Sequence, residues 1–319
     1  MRGSPRVIGI CLGVCVSCVV MLGVKGDLAF AQAGDGFVAV DVAVSGPHVY
    51  SVGLVGADPR LIMLDAMGDG TFSVPRGVRL SGPPTSIAVF DIDLDGLDDV
   101  VVTESGGPSL SGAGALEVFT GHFLSLGEAT LFDRSDVALL RAGGDHGKIA
   151  TADGSVPLSA TVNRFDGDTF GDIAYVTGDG AVDILYATDS GFGPPLTMQY
   201  VSLSRPGVPA PRLIASGPLN WNPYDEDPDV PHTDVDLVVA TSGGDDIFQN
   251  VGGAFWDAGS FAAGSAPLGI LAVDMTRDHI LDFVTLDAVD DFVTVTRAVS
   301  HAGSGWRGSC AARTRSYAR

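Results

Sequence analysis

The sequence predicts an all-β repeat architecture, and three observations predict it. An apolar strand that enters an acidic turn and leaves as a β-branched strand recurs along the chain, the acidic residues are overwhelmingly aspartate, and helical periodicity is almost absent. Short strands at this density, separated by turn residues, assemble into small antiparallel sheets. The 319 residues include 35 Asp against 4 Glu and 16 Arg against 2 Lys, with 43 Gly. Glu favours helices, whereas Asp and Gly favour turns and short loops. A hydrophobic share of 45% and a mean hydropathy of +0.29 supply a core and argue against global disorder. The formal charge of −21 makes nucleic acid a poor partner, because a duplex requires basic groups to displace its counterions, and this chain repels phosphates and anionic lipid heads.

The first element is an address. Arg2 and Arg6 precede an apolar run from Val7 to Val24, and Ala29-Phe30-Ala31 places small residues at −3 and −1 of a cleavage site. Residues 1–31 therefore read as a secretory signal peptide, with an uncleaved anchor as the alternative. No second long apolar segment follows, so no membrane span is expected after cleavage. Cys11, Cys15 and Cys18 leave with the signal, and Cys310 alone survives. Without an internal disulfide, stability outside the cytoplasm must come from packing or from a metal.

The repeat occupies residues 32–297. Its clearest copy runs from Ser86 through Asp91-Ile-Asp93-Leu-Asp95-Gly96-Leu97-Asp98-Asp99 into Val100-Val-Val-Thr103. A second copy carries Arg164-Phe-Asp166-Gly-Asp168-Thr-Phe-Gly171-Asp172, and a third carries Asp274, Thr276, Asp278 and Asp282. A stretched copy opens at Asn220-Trp-Asn222, is interrupted by an insertion from Pro223 to Thr233, and closes at Asp234-Val-Asp236. A second element, an apolar strand followed by a glycine turn and an aromatic, appears at Leu61 to Phe72, at Asp246 to Phe255 and more loosely at Ile184 to Gly193. Each reads as a hairpin with Gly supplying positive φ. Five units follow, at roughly 36–85, 86–157, 158–210, 211–266 and 267–297, the first without a convincing acidic loop.

The acidic loop carries the chemistry. Neighbouring carboxylates a few ångströms apart repel by about 1–4 kcal/mol per pair, and a hard divalent cation reverses the sign of those terms. Asp91, Asp93 and Asp95 alternate inward, Gly96 permits the reversal, and the Leu97 carbonyl with Asp99 completes an oxygen cage of the size calcium prefers. Magnesium demands a stricter octahedron, and zinc wants the His or Cys that the loop lacks. An EF-hand is excluded, since its twelfth position must be Glu and Val102 stands there. Arg164 replaces the first ligand of the second loop, leaving Asp166, Asp168 and Asp172. Asp274, Thr276, Asp278 and Asp282 retain four oxygen donors in the third. The competing reading is that these acids merely form turns.

D-x-D-x-D-G-x-x-D before an aliphatic strand, with a downstream glycine hairpin ending in Phe, resembles the FG-GAP repeat of integrin α chains and the related bacterial VCBS-type repeats. Residues 91–103 and 61–72 carry this resemblance most specifically. It implies a β-propeller of four-stranded blades with calcium (Ca2+) in the loop joining two strands of a blade, held by Asp91, Asp93, Asp95, the Leu97 carbonyl and Asp99. Five blades are visible, and up to seven if degenerate blades are present; a fragment of a larger ring is the alternative. Residues 298–319 gather Arg307, Arg313, Arg315 and Arg319 without an acid and read as a disordered or truncated basic tail, or as a basic arm.

No catalytic constellation emerges. The six histidines lack H-E-x-x-H or paired spacing, no G-x-S-x-G is present, and the glycine pairs lack a following Lys-Ser/Thr. Trp221, Tyr224, Trp256 and Trp306 read as blade anchors before they read as a sugar platform. The expectation is a monomeric, exported calcium-binding scaffold, secreted, at the cell surface or in the periplasm, whose partner is an extracellular protein or glycan. The insertion Pro223 to Thr233 is the favoured contact loop. A propeller-based polysaccharide lyase or hydrolase and a passive module of a larger surface protein are the other readings.

Overall fold

The computed structural model describes residues 36–73, 75–92, 94, 96–106, 113–121, 146–151, 154–188, 191–192, 196–198, 211–218, 235–261, 265–275, 281–288, 292–297 and 313–318. Five four-stranded antiparallel sheets form a five-bladed β-propeller. Blade 1 holds β1 (Phe37–Ser45), β2 (His48–Val55), β3 (Asp58–Asp65) and β4 (Arg76–Arg79). Blade 2 holds β5 (Pro84–Phe90), β6 (Asp99–Glu104), β7 (Ala115–Phe119) and β8 (His146–Ala150). Blade 3 comprises β9 (Pro157–Asn163), β10 (Asp172–Thr177), β11 (Val182–Leu185) and, after the small hairpin of β12 (Ala187–Thr188) and β13 (Gly191–Phe192), β14 (Leu196–Met198). Blade 4 is β15 (Pro211–Gly217), β16 (Asp236–Thr241), β17 (Gly244–Val251) and β18 (Ala254–Phe261). Blade 5 is β19 (Pro267–Val273), β20 (Asp282–Asp287), β21 (Phe292–Arg297) and β22 (Arg313–Ala318).

Each blade is a meander, so its strands pair in chain order. The first strands lie side by side, β1 on β5, β5 on β9, β9 on β15 and β15 on β19. The second strands of blades 2, 3 and 4 are buried along their whole length. Alternation sends their apolar residues to two junctions. Val100 and Val102 pack with Tyr50, Val52, Leu61 and Met63 of blade 1, while Val101 meets Ala160, Val162 and Tyr175 of blade 3. Val176 and Ile184 pack on Leu237 and Phe248, and Val238 and Ile247 on Phe283. The outer blades are less sealed: Val38, Val40 and Val44 of β1 and Leu268 and Leu271 of β19 are exposed.

Four of the five blades begin with a proline, at Pro84, Pro157, Pro211 and Pro267. In all four a register shift follows it at once, between Pro84 and Ser86, Pro157 and Ser159, Pro211 and Leu213, and Pro267 and Gly269. Proline lacks the donor a ladder needs, so it stands at the strand's first residue beside a bulge.

Within the basic segment 298–319, Arg313–Ala318 pairs antiparallel with β21 as the fourth strand of blade 5. The physical reason is that an outermost strand is held through its backbone on one side only, so it needs no apolar alternation and tolerates charge.

Candidate metal centre

The acidic loops all join the first strand of a blade to its second, which places them on one rim. Blade 1 has only the Gly46-Pro47 turn there, and its Ser45 Oγ and Tyr50 Oη instead donate to Asp98 Oδ1 and Oδ2 at 2.7 and 3.1 Å. Asp98 thus ties blade 2 to blade 1. Burial, followed by the Asp98 charge, pushes the Tyr50 phenol up, so it remains a donor.

In the loop 91–99, Leu94 and Gly96 take positive φ, and Asp91 Oδ2 accepts the Gly96 N–H at 3.2 Å. Asp91 Oδ1 is buried and has no hydrogen-bond partner among the described residues. A carboxylate oxygen removed from water with no donor is what a cation site supplies, and this atom fits one. Asp93 and Asp95 lie outside the described residues. Leu97 is partly exposed, and Gly121 sits against it so closely that a side chain at 121 would clash with Leu97 Cβ.

The loop 164–172 brings its acids together. Asp166, Asp168 and Asp172 each present an oxygen, all within 4.8 Å of one another, with Asp172 buried and the other two exposed. Asp166 Oδ1 accepts the Asp168 N–H at 3.0 Å and Asp168 Oδ1 accepts the Phe170 N–H at 2.8 Å, so the turn itself orients the carboxylates. Burial, with Asp166 adding to it and backbone donors opposing, pushes Asp172 up to about 6. A cation there would favour the ionised form. Arg164, in the place of a first ligand, is exposed.

The structure gives the last acid of each loop a role that the spacing alone did not reveal. Asp99, Asp172, Asp236 and Asp282 open the second strands of blades 2 to 5 and are buried. Asp99 Oδ2 accepts the Ile92 N–H at 2.6 Å and Oδ1 the Gly121 N–H at 2.6 Å. Asp172 repeats this with Phe165 at 2.7 Å and Ala187 at 2.9 Å. Asp236 accepts from Asn250 at 2.8 Å, and Asp282 from Met275 at 3.1 Å. In blades 2 and 3 one carboxylate therefore joins the loop to the end of the third strand, satisfying donors that bulge and turn leave over. Asp274 is described beside Met275; Thr276, Asp278, Asn220, Asn222 and the insertion 223–233 lie outside the described residues, as do residues 1–31, Trp221, Tyr224 and Trp306.

Neighbouring loops are joined in series. The Gly171 N–H donates to the Ile92 carbonyl at 2.9 Å, and a Cβ on Gly171 would lie 2.9 Å from Phe90 Cδ1 and 3.0 Å from Ile92 Cα. The glycine hairpin of blade 4 buttresses the loop of blade 3. Asn250 Nδ2 donates to the Phe165 and Val235 carbonyls at 2.6 and 3.2 Å, Tyr186 Oη to the Gly253 carbonyl at 3.2 Å, and Phe255 meets Phe165 edge-on with centroids 5.9 Å apart. Sequence reasoning found the hairpin but not Asn250 or Tyr186, whose types signal nothing by themselves. Trp256, read as a blade anchor, is 65% exposed on β18.

Among the described residues no helix is long and apolar enough to cross a membrane. Comparison with protein-family models and with curated proteins yields no match for this chain.

Proposed function

We propose that the chain is an exported, calcium-binding repeat protein of the FG-GAP/VCBS-like kind, a non-enzymatic scaffold that presents a rigid propeller rim to an extracellular protein or glycan. The observation that carries the reading is the convergence of Asp166, Asp168 and Asp172 in a loop at the same topological place as Asp91 to Asp99. The buried, unpartnered Asp91 oxygen supports it independently.

The ion's contribution is to cancel the repulsion within each loop and so fix the joint between two strands. Asp91 and Asp99, with Asp93, Asp95 and the Leu97 carbonyl, would hold it in blade 2, and Asp166, Asp168 and Asp172 in blade 3. The protein's own part is prior organisation: the buried last acid, Asn250 and Tyr186 hold the loops in series, so tightening one loop stiffens the rim. Thermal melting of the full chain in EDTA, then with calcium or magnesium restored, tests this. A calcium-selective rise of several degrees is expected; melting indifferent to every divalent ion overturns it.

A further inference from the structure

The opposite end of blade 2 holds a group that the metal reading does not use. Of the four Glu and two Lys in the chain, Glu104, Glu117 and Lys148 meet at one buried point, with exposures of 0%, 1% and 7%. Glu104 ends β6, and Glu117 and Lys148 face each other across β7 and β8. Val102 pairs with Glu117, and Glu104 follows Val102 by two residues, so alternation puts all three side chains on the face turned towards blade 1. Lys148 Nζ donates to Glu104 Oε2 at 2.6 Å, and the Gly82 N–H to Glu104 Oε1 at 2.9 Å. Ser81 donates to Glu117 through its N–H at 3.0 Å and its hydroxyl at 3.1 Å. The linker between blades 1 and 2 is thus fastened to blade 2 through two carboxyl groups.

We propose that Glu104, Glu117 and Lys148 form a proton-dependent clasp that holds the 81–82 linker to blade 2 and loosens in alkaline medium. One ammonium cannot neutralise two carboxylates, and a surplus charge buried this deeply is costly. The charge is relieved when one proton stays on the carboxyl pair. Burial, then the adjacent Glu117, pushes Glu104 up to about 8 against the opposing pull of Lys148. Among the described residues, Glu117 from β7 and Lys148 from β8 are the charged groups that act on it, and the 81–82 linker brings neutral donors. Because the folded chain holds this proton more tightly than the unfolded chain, the stabilisation is complete below the ordinary glutamate range. It declines as pH rises and is lost above about 8.

The test is melting of the full chain in EDTA from about pH 7 to about pH 9.5, a window above the titration of Asp172 and Asp245. A fall of several degrees is expected in the wild type, with a flattened profile in both Glu104→Gln and Glu117→Gln. A flat wild-type profile, or an unchanged fall in Glu104→Gln, overturns the proposal. Because burial pushes the Asp41 carboxyl up as well, infrared spectroscopy reads the proton as the difference between the wild type and Glu104→Gln. The C=O stretch of an un-ionised carboxyl is expected at neutral pH and should fade above about pH 8; its absence at neutral pH also overturns the clasp.

Discussion

The two ends of β6 each bury an acid and solve the problem differently. Asp99 receives one backbone N–H on each oxygen, from Ile92 and Gly121, and is stabilised by dipoles fixed in the fold. Glu104 receives one N–H and one ammonium but faces a second carboxyl, so its neutrality depends on a proton. The first arrangement recurs at Asp172 in blade 3 and belongs to the repeat. The second occurs where the chain passes from blade 1 to blade 2 and belongs to this protein's own stability. Six residues of one strand therefore separate an acid held by backbone donors from one held by an ammonium and a shared proton.

The largest expected effect sharpens that contrast at the proton-dependent end. Lys148→Met leaves two buried carboxyls without a cation, and urea denaturation should show a loss of about 3–5 kcal/mol near pH 8. The loss should shrink near pH 5, where protonation removes the surplus charge; an equal loss at both values would mean that packing of the lysine stem dominates. At the other end, Asp99→Ala strands the Ile92 and Gly121 donors and should cost about 2–4 kcal/mol at any pH from 6 to 9. A pH-dependent cost there would erase the distinction between the two ends.

A smaller effect, of opposite sign, is expected at Asp245. Its Oδ2 accepts from Thr285 at 2.6 Å, its Oδ1 is buried without a hydrogen-bond partner among the described residues, and burial pushes it up to about 6. Its stabilising contribution is complete below the ordinary aspartate range and is lost as pH rises through about 6. Asp245→Asn should therefore raise stability by roughly 1–3 kcal/mol at pH 8 and by little near pH 4, read from melting curves. The smallest change in metal-free stability is expected for Asp168→Asn, because Asp168 is exposed; its effect should appear only once calcium is added.

Much of this fold was legible because the strand, acidic turn and strand pattern repeats. Units drawn to begin near 86, 158, 211 and 267 correspond to blades beginning at Pro84, Pro157, Pro211 and Pro267. In sequence proline reads as a loop residue, and only the register shifts show it opening a strand. The fourth strands were the least legible. Leu196–Met198 is three residues long, and Arg313–Ala318 carries two arginines, since an outermost strand is selected by its backbone and not by burial. At the site, Asp166, Asp168 and Asp172 were readable from their spacing, but the bonds of Asp99 and Asp172 to N–H groups in two separate segments were not. Those bonds depend on where the third strand ends, which spacing within a loop does not encode.

Calorimetric titration of calcium into the full, EDTA-treated chain tests the central claim most directly. Saturable binding is predicted, weaker for magnesium, with one component lost in Asp168→Asn and another in Asp91→Asn. No calcium binding, or binding unchanged in both variants, would contradict the assignment of these loops.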